Sequence, residues 1–204
     1  MITAVMLEDL ARAVKSRLSG KRFNHTLAVA KMARYLALCC EVDGCVAEAA
    51  ALLHDVTKEL SEDEHLSLLA KEGIVLNQDD LDSPQIWHSY TAPILIKRDF
   101  PLFAYPEILS ATEKHTVGDG DMQVLDCIIF LADFIEETRT YPSSVQVRKY
   151  VFENMQEGKN LENLRVLFTA CIKSIDFTVE HLSSTNKKLN PKTLLTRNAL
   201  LSKI

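Results

Sequence analysis

At 204 residues the chain suits one compact domain, or one domain with a modest helical extension. Its 47% hydrophobic content supplies a sizeable core, and 25% charged residues argue against disorder. A net charge of −5 argues against a nucleic-acid partner held by broad electrostatics, while a small anionic substrate stays open because local cations or metals override the global sign.

Nearly every periodic segment has helical spacing. Leu7, Leu10, Val14 and Leu18 form the first apolar stripe, which Ser19-Gly20 ends. A second helix is predicted over 23–40, with His25, Val29, Met32 and Leu36 on one face. Asp43-Gly44 punctuates the chain before an Ala-rich helix over 45–58. Ser61 with Glu64 forms a capping box, and Gly73 stops the helix it opens. Ser83-Pro84 starts a helix carrying Trp87 and His88, which Pro93 should bend or split. Pro106 opens a short helix to His115, and a GDGD loop (118–121) precedes an apolar helix over 122–137. Further helices are expected over 143–154 and 161–181, with a C-terminal one after Asn190-Pro191. With no repeats and no convincing strands, the fold class is all-α.

Six residues stand out on these helices: His25, His54, Asp55, His88, His115 and Asp133. The His54-Asp55 dipeptide alone is weak, but it ends the small and apolar run AEAAALLHD, so both side chains should face the interior. Asp133 interrupts CIIFLADFI, where an unpartnered carboxylate would cost several kcal/mol to bury. A metal ion or a cationic partner is the usual remedy. Singly, each histidine is more often a core residue bonded to a carbonyl, and Asp133 could pair with an arginine. One account for all six favours a metal. His65, on a polar helix, and His181, near a helix end, read as solvated or capping residues and are set aside.

In this order the pattern resembles the HD-domain superfamily, and more closely the YqeK-type symmetrical bis(5'-nucleosyl)-tetraphosphatases. The matching stretches are RFNHTLAVAKMA (22–33), ALLHDVTKEL (51–60), WHSYTAPIL (87–95), EKHTVGDGDM (113–122), IIFLADFIEETR (128–139) and TRNALL (196–201). HDxxK, KHTxG and ADxIExxR are the more specific elements. The resemblance implies a helical bundle with a dinuclear metal site at its centre, formed by one domain over 1–204. Its core would span about 20–140, with helices of 143–204 packed on it. It implies that His25, His54, Asp55 and Asp133 bind one metal, with Asp55 bridging to a second held by His88 and His115. The family's metal is usually iron, and the ligand types also suit manganese. One departure is that Ala92-Pro93 stands where a glycine is expected after HSxx.

Two metals would acidify a water between them and neutralise the phosphate it attacks, which makes Asp55 a catalytic ligand. Lys58, one turn after His54, is a candidate for catalysis and phosphate binding, or for a helix C-terminus. Thr116 and Gly118 offer a hydroxyl and a close-approaching N–H, or form an ordinary loop. Arg139 and Arg22 are further phosphate candidates and Arg148 a weaker one. By resemblance the reaction is cleavage of diadenosine tetraphosphate to two ADP. Pattern alone supports phosphate-ester or phosphoanhydride hydrolysis. Three alternatives remain: an HD phosphohydrolase of another nucleotide, a metal-stabilised helical binding module, and a metal oxygenase on the same scaffold.

The five cysteines, Cys39, Cys40, Cys45, Cys127 and Cys171, form no CxxC pair and read as free thiols of a reducing cytosol. The N-terminus lacks a signal-peptide layout, and no segment approaches the roughly 18 apolar residues that span a bilayer. A cytoplasmic protein is therefore expected, with a nucleotide as partner, no membrane or nucleic acid, and a second copy of the chain as a candidate partner.

Overall fold

The computed structural model describes residues 1–156 and 159–204, and among these it is all-helical. The helices are α1 (Ala4–Lys15), α2 (Gly20–Cys39), α3 (Gly44–Leu53), α4 (Glu62–Lys71), α5 (Gln78–Leu81), α6 (Trp87–Asp99), α7 (Pro106–Lys114), α8 (Val124–Ile135), α9 (Pro142–Asn154), α10 (Asn160–Ser184) and α11 (Pro191–Leu201). No helix among them is long and apolar enough to cross a membrane.

The packing follows the apolar runs. In α8, Leu125 to Ala132 and Ile135 are all buried, so this helix must be covered on every side. It packs against α2, α3, α7, α9 and α10. The alanines of α3 (Ala47, Ala49, Ala50, Ala51) are fully buried, and their small side chains allow α2 to lie close along it. Buried leucines of α1 cover the other side of α3, while α4 lies on α6 and α6 on α7. The central site is thus walled by α2, α3, α6, α7 and α8.

Local signals place most of the ends. Ser19 does not merely end α1: its hydroxyl caps α2, accepting from the Arg22 amide. The Ser61–Glu64 capping box is present, and Gly73, at φ +68, follows α4.

One expectation is corrected, and of the two outcomes expected at Pro93 the split is absent. The helix predicted over 45–58 ends at Leu53, and the chain then runs in tight i to i+3 turns, with Val56 N to Leu53 O at 3.1 Å and Lys58 N to Asp55 O at 2.9 Å. Pro93 lies inside α6 without splitting it. In the turn before the proline, the Thr57 hydroxyl donates to the His88 carbonyl at 2.9 Å, and the Thr91 hydroxyl to Thr57 Oγ1 at 3.0 Å. The ring removes the backbone donor to the Ser89 carbonyl, and the helix continues through it buried along most of its length.

Candidate metal centre

Four helix ends and one helix interior deliver the candidate ligands. His54 is the C-cap of α3 and Asp55 the next residue; His88 lies in the first turn of α6; His115 is the C-cap of α7. His25 sits in the second turn of α2, and Asp133 in the last turn of α8. A residue at a helix end can turn its side chain inward without breaking the apolar stripe that packs the helix, which is why these positions tolerate polar groups.

The structure brings all six together around Asp55. Its Oδ1 lies 3.3 Å from His88 Nε2 and 3.6 Å from His115 Nε2. Its Oδ2 lies 3.5 Å from His54 Nε2 and 3.9 Å from His25 Nε2. Asp133 Oδ1 approaches His25 Nε2 at 3.0 Å, and the Nε2 atoms of His88 and His115 are 3.0 Å apart. Two groups, His25–His54–Asp55 and Asp55–His88–His115, therefore share one carboxylate; His54, His115 and Asp133 also converge.

The hydrogen bonds fix which ring nitrogens face inward. His54 Nδ1 donates to the Ala51 carbonyl at 2.6 Å, and His115 Nδ1 to the Thr112 carbonyl at 2.7 Å. A carbonyl only accepts, so Nδ1 carries the proton and Nε2 of a neutral ring presents a bare lone pair to the centre. His25 Nδ1 faces Glu136 Oε1 at 3.2 Å, which sets its ring in the same sense. The Nε2 atoms of His25 and His54 are buried, and with Nδ1 protonated neither finds a hydrogen-bond donor among the described residues, only the carboxylates of Asp133 and Asp55. Buried acceptors left open in this way, beside carboxylates, fit a divalent transition metal, for which imidazole and carboxylate are suitable donors.

The electrostatics agree. Burial works to raise the Asp55 carboxyl, but His54, His115 and His88 outweigh it and hold the group well below the usual range. Burial lowers the His54 imidazole, yet Asp55 and Asp133 overcome it and push the group up. A field that draws positive charge onto His54 also favours a cation among the same atoms. Burial, then His115 and Lys58, keep His88 well below its ordinary value and hence neutral. Burial also lowers the Lys58 ammonium, against the pull of Asp55 and Asp133.

The remaining candidates fall into two groups. Lys58 Nζ lies 3.2 Å from both ring nitrogens of His88, Arg22 donates to Asp55 Oδ2 at 2.8 Å, and Arg139 to Asp133 Oδ1 at 2.8 Å. Arg22, Arg139, Lys21 and Tyr141 line a cleft of about 470 Å³ that opens onto His25. Thr116, in contrast, bonds Ser89 Oγ at 3.3 Å. Gly118, at φ +72, seats α11: a Cβ there would stand 2.4 Å from Thr196 Cγ2. Arg148 donates to the carbonyls of Ile135, Glu136 and Arg139, so it caps the end of α8. His65 is buried at 5% exposure, not solvated, and its Nδ1 meets Thr91 Oγ1 at 2.8 Å; packing of α4 on α6 hides a ring that α4's polar sequence placed in water. His181 is exposed, as expected.

Sequence reasoning missed the role of Glu136. It is completely buried, accepts from Thr138 N (2.5 Å) and Thr138 Oγ1 (2.7 Å), and faces His25 Nδ1. Its place directly after an apolar helix, three residues from Asp133, was the available signal.

Comparison with known proteins agrees with this geometry. The HD domain family model matches residues 22–137. The chain is similar to the symmetrical bis(5'-nucleosyl)-tetraphosphatase of Bacillus subtilis (strain 168), 31% identical over 96% of this chain and 97% of that one. A protein of the same name from Halalkalibacterium halodurans is 30% identical over 92% and 93%. Among solved structures, a predicted HD superfamily hydrolase involved in NAD metabolism from Clostridium acetobutylicum superposes with a TM-score of 0.84 at 27% identity, covering 97% of each chain. The HD-domain match over residues 22–137, with relatives about 30% identical over more than nine-tenths of the sequence, places this chain in the HD-domain family.

Proposed function

We propose that the protein hydrolyses a dinucleoside tetraphosphate symmetrically, converting diadenosine tetraphosphate and water into two ADP. The observation that carries this reading is Asp55, whose two oxygens face separate pairs of imidazoles and so suit a bridge between two cations. The relatives named as symmetrical tetraphosphatases match over more than nine-tenths of the chain, which narrows phosphohydrolase chemistry to this substrate class. The chain acts in this reading as one functional unit over 1–204.

His25, His54, Asp55 and Asp133 would hold one metal and Asp55, His88 and His115 the second, with iron as the expected ion and manganese also suited. When bound, such a pair supplies Lewis acidity to phosphate oxygens and an acidified water. The chain's own residues do the positioning. Arg22 and Arg139 stand between the cleft and the carboxylates, where their guanidinium groups can grip the polyphosphate in two-pronged fashion. Lys58 presents its ammonium at His88, on the other side of Asp55, where charge on the departing nucleoside diphosphate needs compensation. Water attacks one of the two central phosphorus atoms, and the oxygen bridging them leaves with the other half. Five free cysteines support a reducing, cytoplasmic setting.

Two measurements test this reading. The protein, purified anaerobically, is expected to carry two transition-metal ions per chain. A panel of dinucleoside polyphosphates, mononucleotides and guanosine polyphosphates should return nucleoside diphosphate as the sole product from the tetraphosphate. Unequal products such as AMP and ATP, or faster turnover of a mononucleotide, would replace this assignment with another HD phosphohydrolase activity.

A further inference from the structure

His65 belongs to none of the groups used above, yet it is buried and polar, which calls for a partner. Its Nδ1 meets Thr91 Oγ1 at 2.8 Å; Thr91 Oγ1 meets Thr57 Oγ1 at 3.0 Å; Thr57 Oγ1 meets the His88 carbonyl at 2.9 Å. Thr57 and Thr91 are likewise almost completely buried, at 1% and 0% exposure.

The direction of this chain follows from donor counting. The His88 carbonyl only accepts, so the Thr57 hydroxyl proton points to it. Thr57 oxygen is then free to accept from Thr91, whose other neighbours, the Trp87 carbonyl at 3.2 Å and the His88 carbonyl at 3.4 Å, are also acceptors. With Thr91's single proton given to Thr57, its oxygen accepts, and His65 Nδ1 is the donor that faces it.

The two ends of the chain matter because of what lies beside them. Thr57 is two residues past Asp55 and one before Lys58, in the non-helical turn after α3. His88 stands in the first turn of α6. The bond from Thr57 to the His88 carbonyl therefore ties the turn bearing Asp55 and Lys58 to the helix bearing His88. That tie sets the 3.3 Å spacing of Asp55 Oδ1 and His88 Nε2 and the 3.2 Å approach of Lys58.

We infer that His65 is a positioning residue for the His88 side of the centre, acting through the buried hydroxyls of Thr91 and Thr57. The inference rests on the two-metal reading for its consequence, but its hydrogen-bond geometry stands apart from it. His65 touches neither substrate nor the reacting atoms; it holds the turn and the helix in register, and supports of this kind typically change metal affinity by about 10–100-fold when removed.

The test compares the full-length, metal-free chain with His65→Leu, Thr91→Val and His65→Asn variants in manganese(II) titrations followed by the signal of the free ion. Asparagine keeps an N–H donor at the position of Nδ1, whereas leucine keeps only bulk. In His65→Leu and Thr91→Val one of two binding steps should weaken by about 10–100-fold while the other shifts by less than about threefold, and His65→Asn should return to within about threefold of the parent. Unchanged titrations in both Leu and Val variants, or an Asn variant as weak as the Leu variant, would overturn the inference.

A second readout needs no variant. Nitrogen-15 shifts of the His65 ring in the metal-free parent should show Nδ1 protonated and Nε2 bare; the opposite tautomer rejects the relay. A parent that binds fewer than two manganese ions would count against the two-metal reading, and the ring shifts would still decide the relay separately.

Discussion

Glu136→Gln changes one atom in a fully buried group and should disable a residue it never replaces. The carboxylate accepts at both oxygens: Thr138 N at Oε2, and Thr138 Oγ1 with His25 Nδ1 at Oε1. A glutamine amide must place its NH2 at one of these positions. At Oε2 it would oppose a backbone N–H that cannot turn away. At Oε1 it meets a hydroxyl that can rotate and an imidazole that can move its proton. The second arrangement is the cheaper, and it transfers the His25 proton to Nε2, the atom 3.0 Å from Asp133. A protonated Nε2 has no lone pair to offer a metal. The expected loss is that of a ligand-orienting partner, about 10–100-fold in metal affinity, or about 1.4–2.8 kcal/mol. Calorimetric titration of the metal-free variant with manganese(II) reads the affinity, and nitrogen-15 shifts of His25 read the tautomer. A variant that binds metal as tightly as the parent, with Nδ1 of His25 still protonated, would refute the reasoning.

His88→Ala and His115→Ala should each remove one metal per chain while leaving the helical signal and melting behaviour near those of the parent. Full activity in both at limiting metal would contradict a second site. Gly118→Ala combines a positive φ with a Cβ that would meet Thr196, so a loss of about 2–5 kcal/mol is expected; a melting temperature within about 1 °C of the parent would show the seat to be loose. Arg98, then Arg17, hold the Asp99 carboxyl down at about 2 despite some burial, and the Arg17 contact ties the segment after α1 to the end of α6. A depressed carboxyl stabilises the fold above its unfolded value of about 3.9 and loses that contribution as pH falls toward 2. Asp99→Asn should therefore cost under about 1 kcal/mol at pH 7, because the pair is partly solvated, a small fraction of that at pH 2, and nothing well below it. A cost that persists undiminished at pH 2 would assign the effect to packing.

The sequence alone determined most of the helices and singled out the candidate ligands, because both are written in local pattern. Apolar spacing, the Ser61–Glu64 box and the Asn190-Pro191 start are short-range features, and each is present in the structure. The six candidate ligands were visible as polar residues inside apolar runs, where burial without a partner is costly. Tertiary structure decided what depends on contacts between distant segments. The helix through the HD pair ends at Leu53 because the following turn is bonded to α6 through Thr57, a partner 31 residues away. Pro93 stays within α6, a helix packed against α4 and α7, although its ring removes one backbone donor. His65 is buried because α6 covers it, although its own helix is largely polar. Gly118 is required by Thr196, 78 positions on, and nothing near Gly118 in the chain announces that demand. Periodicity and burial cost act over a few residues and can be read in one dimension; the donor–acceptor pairing of buried groups is settled only when separate helices meet.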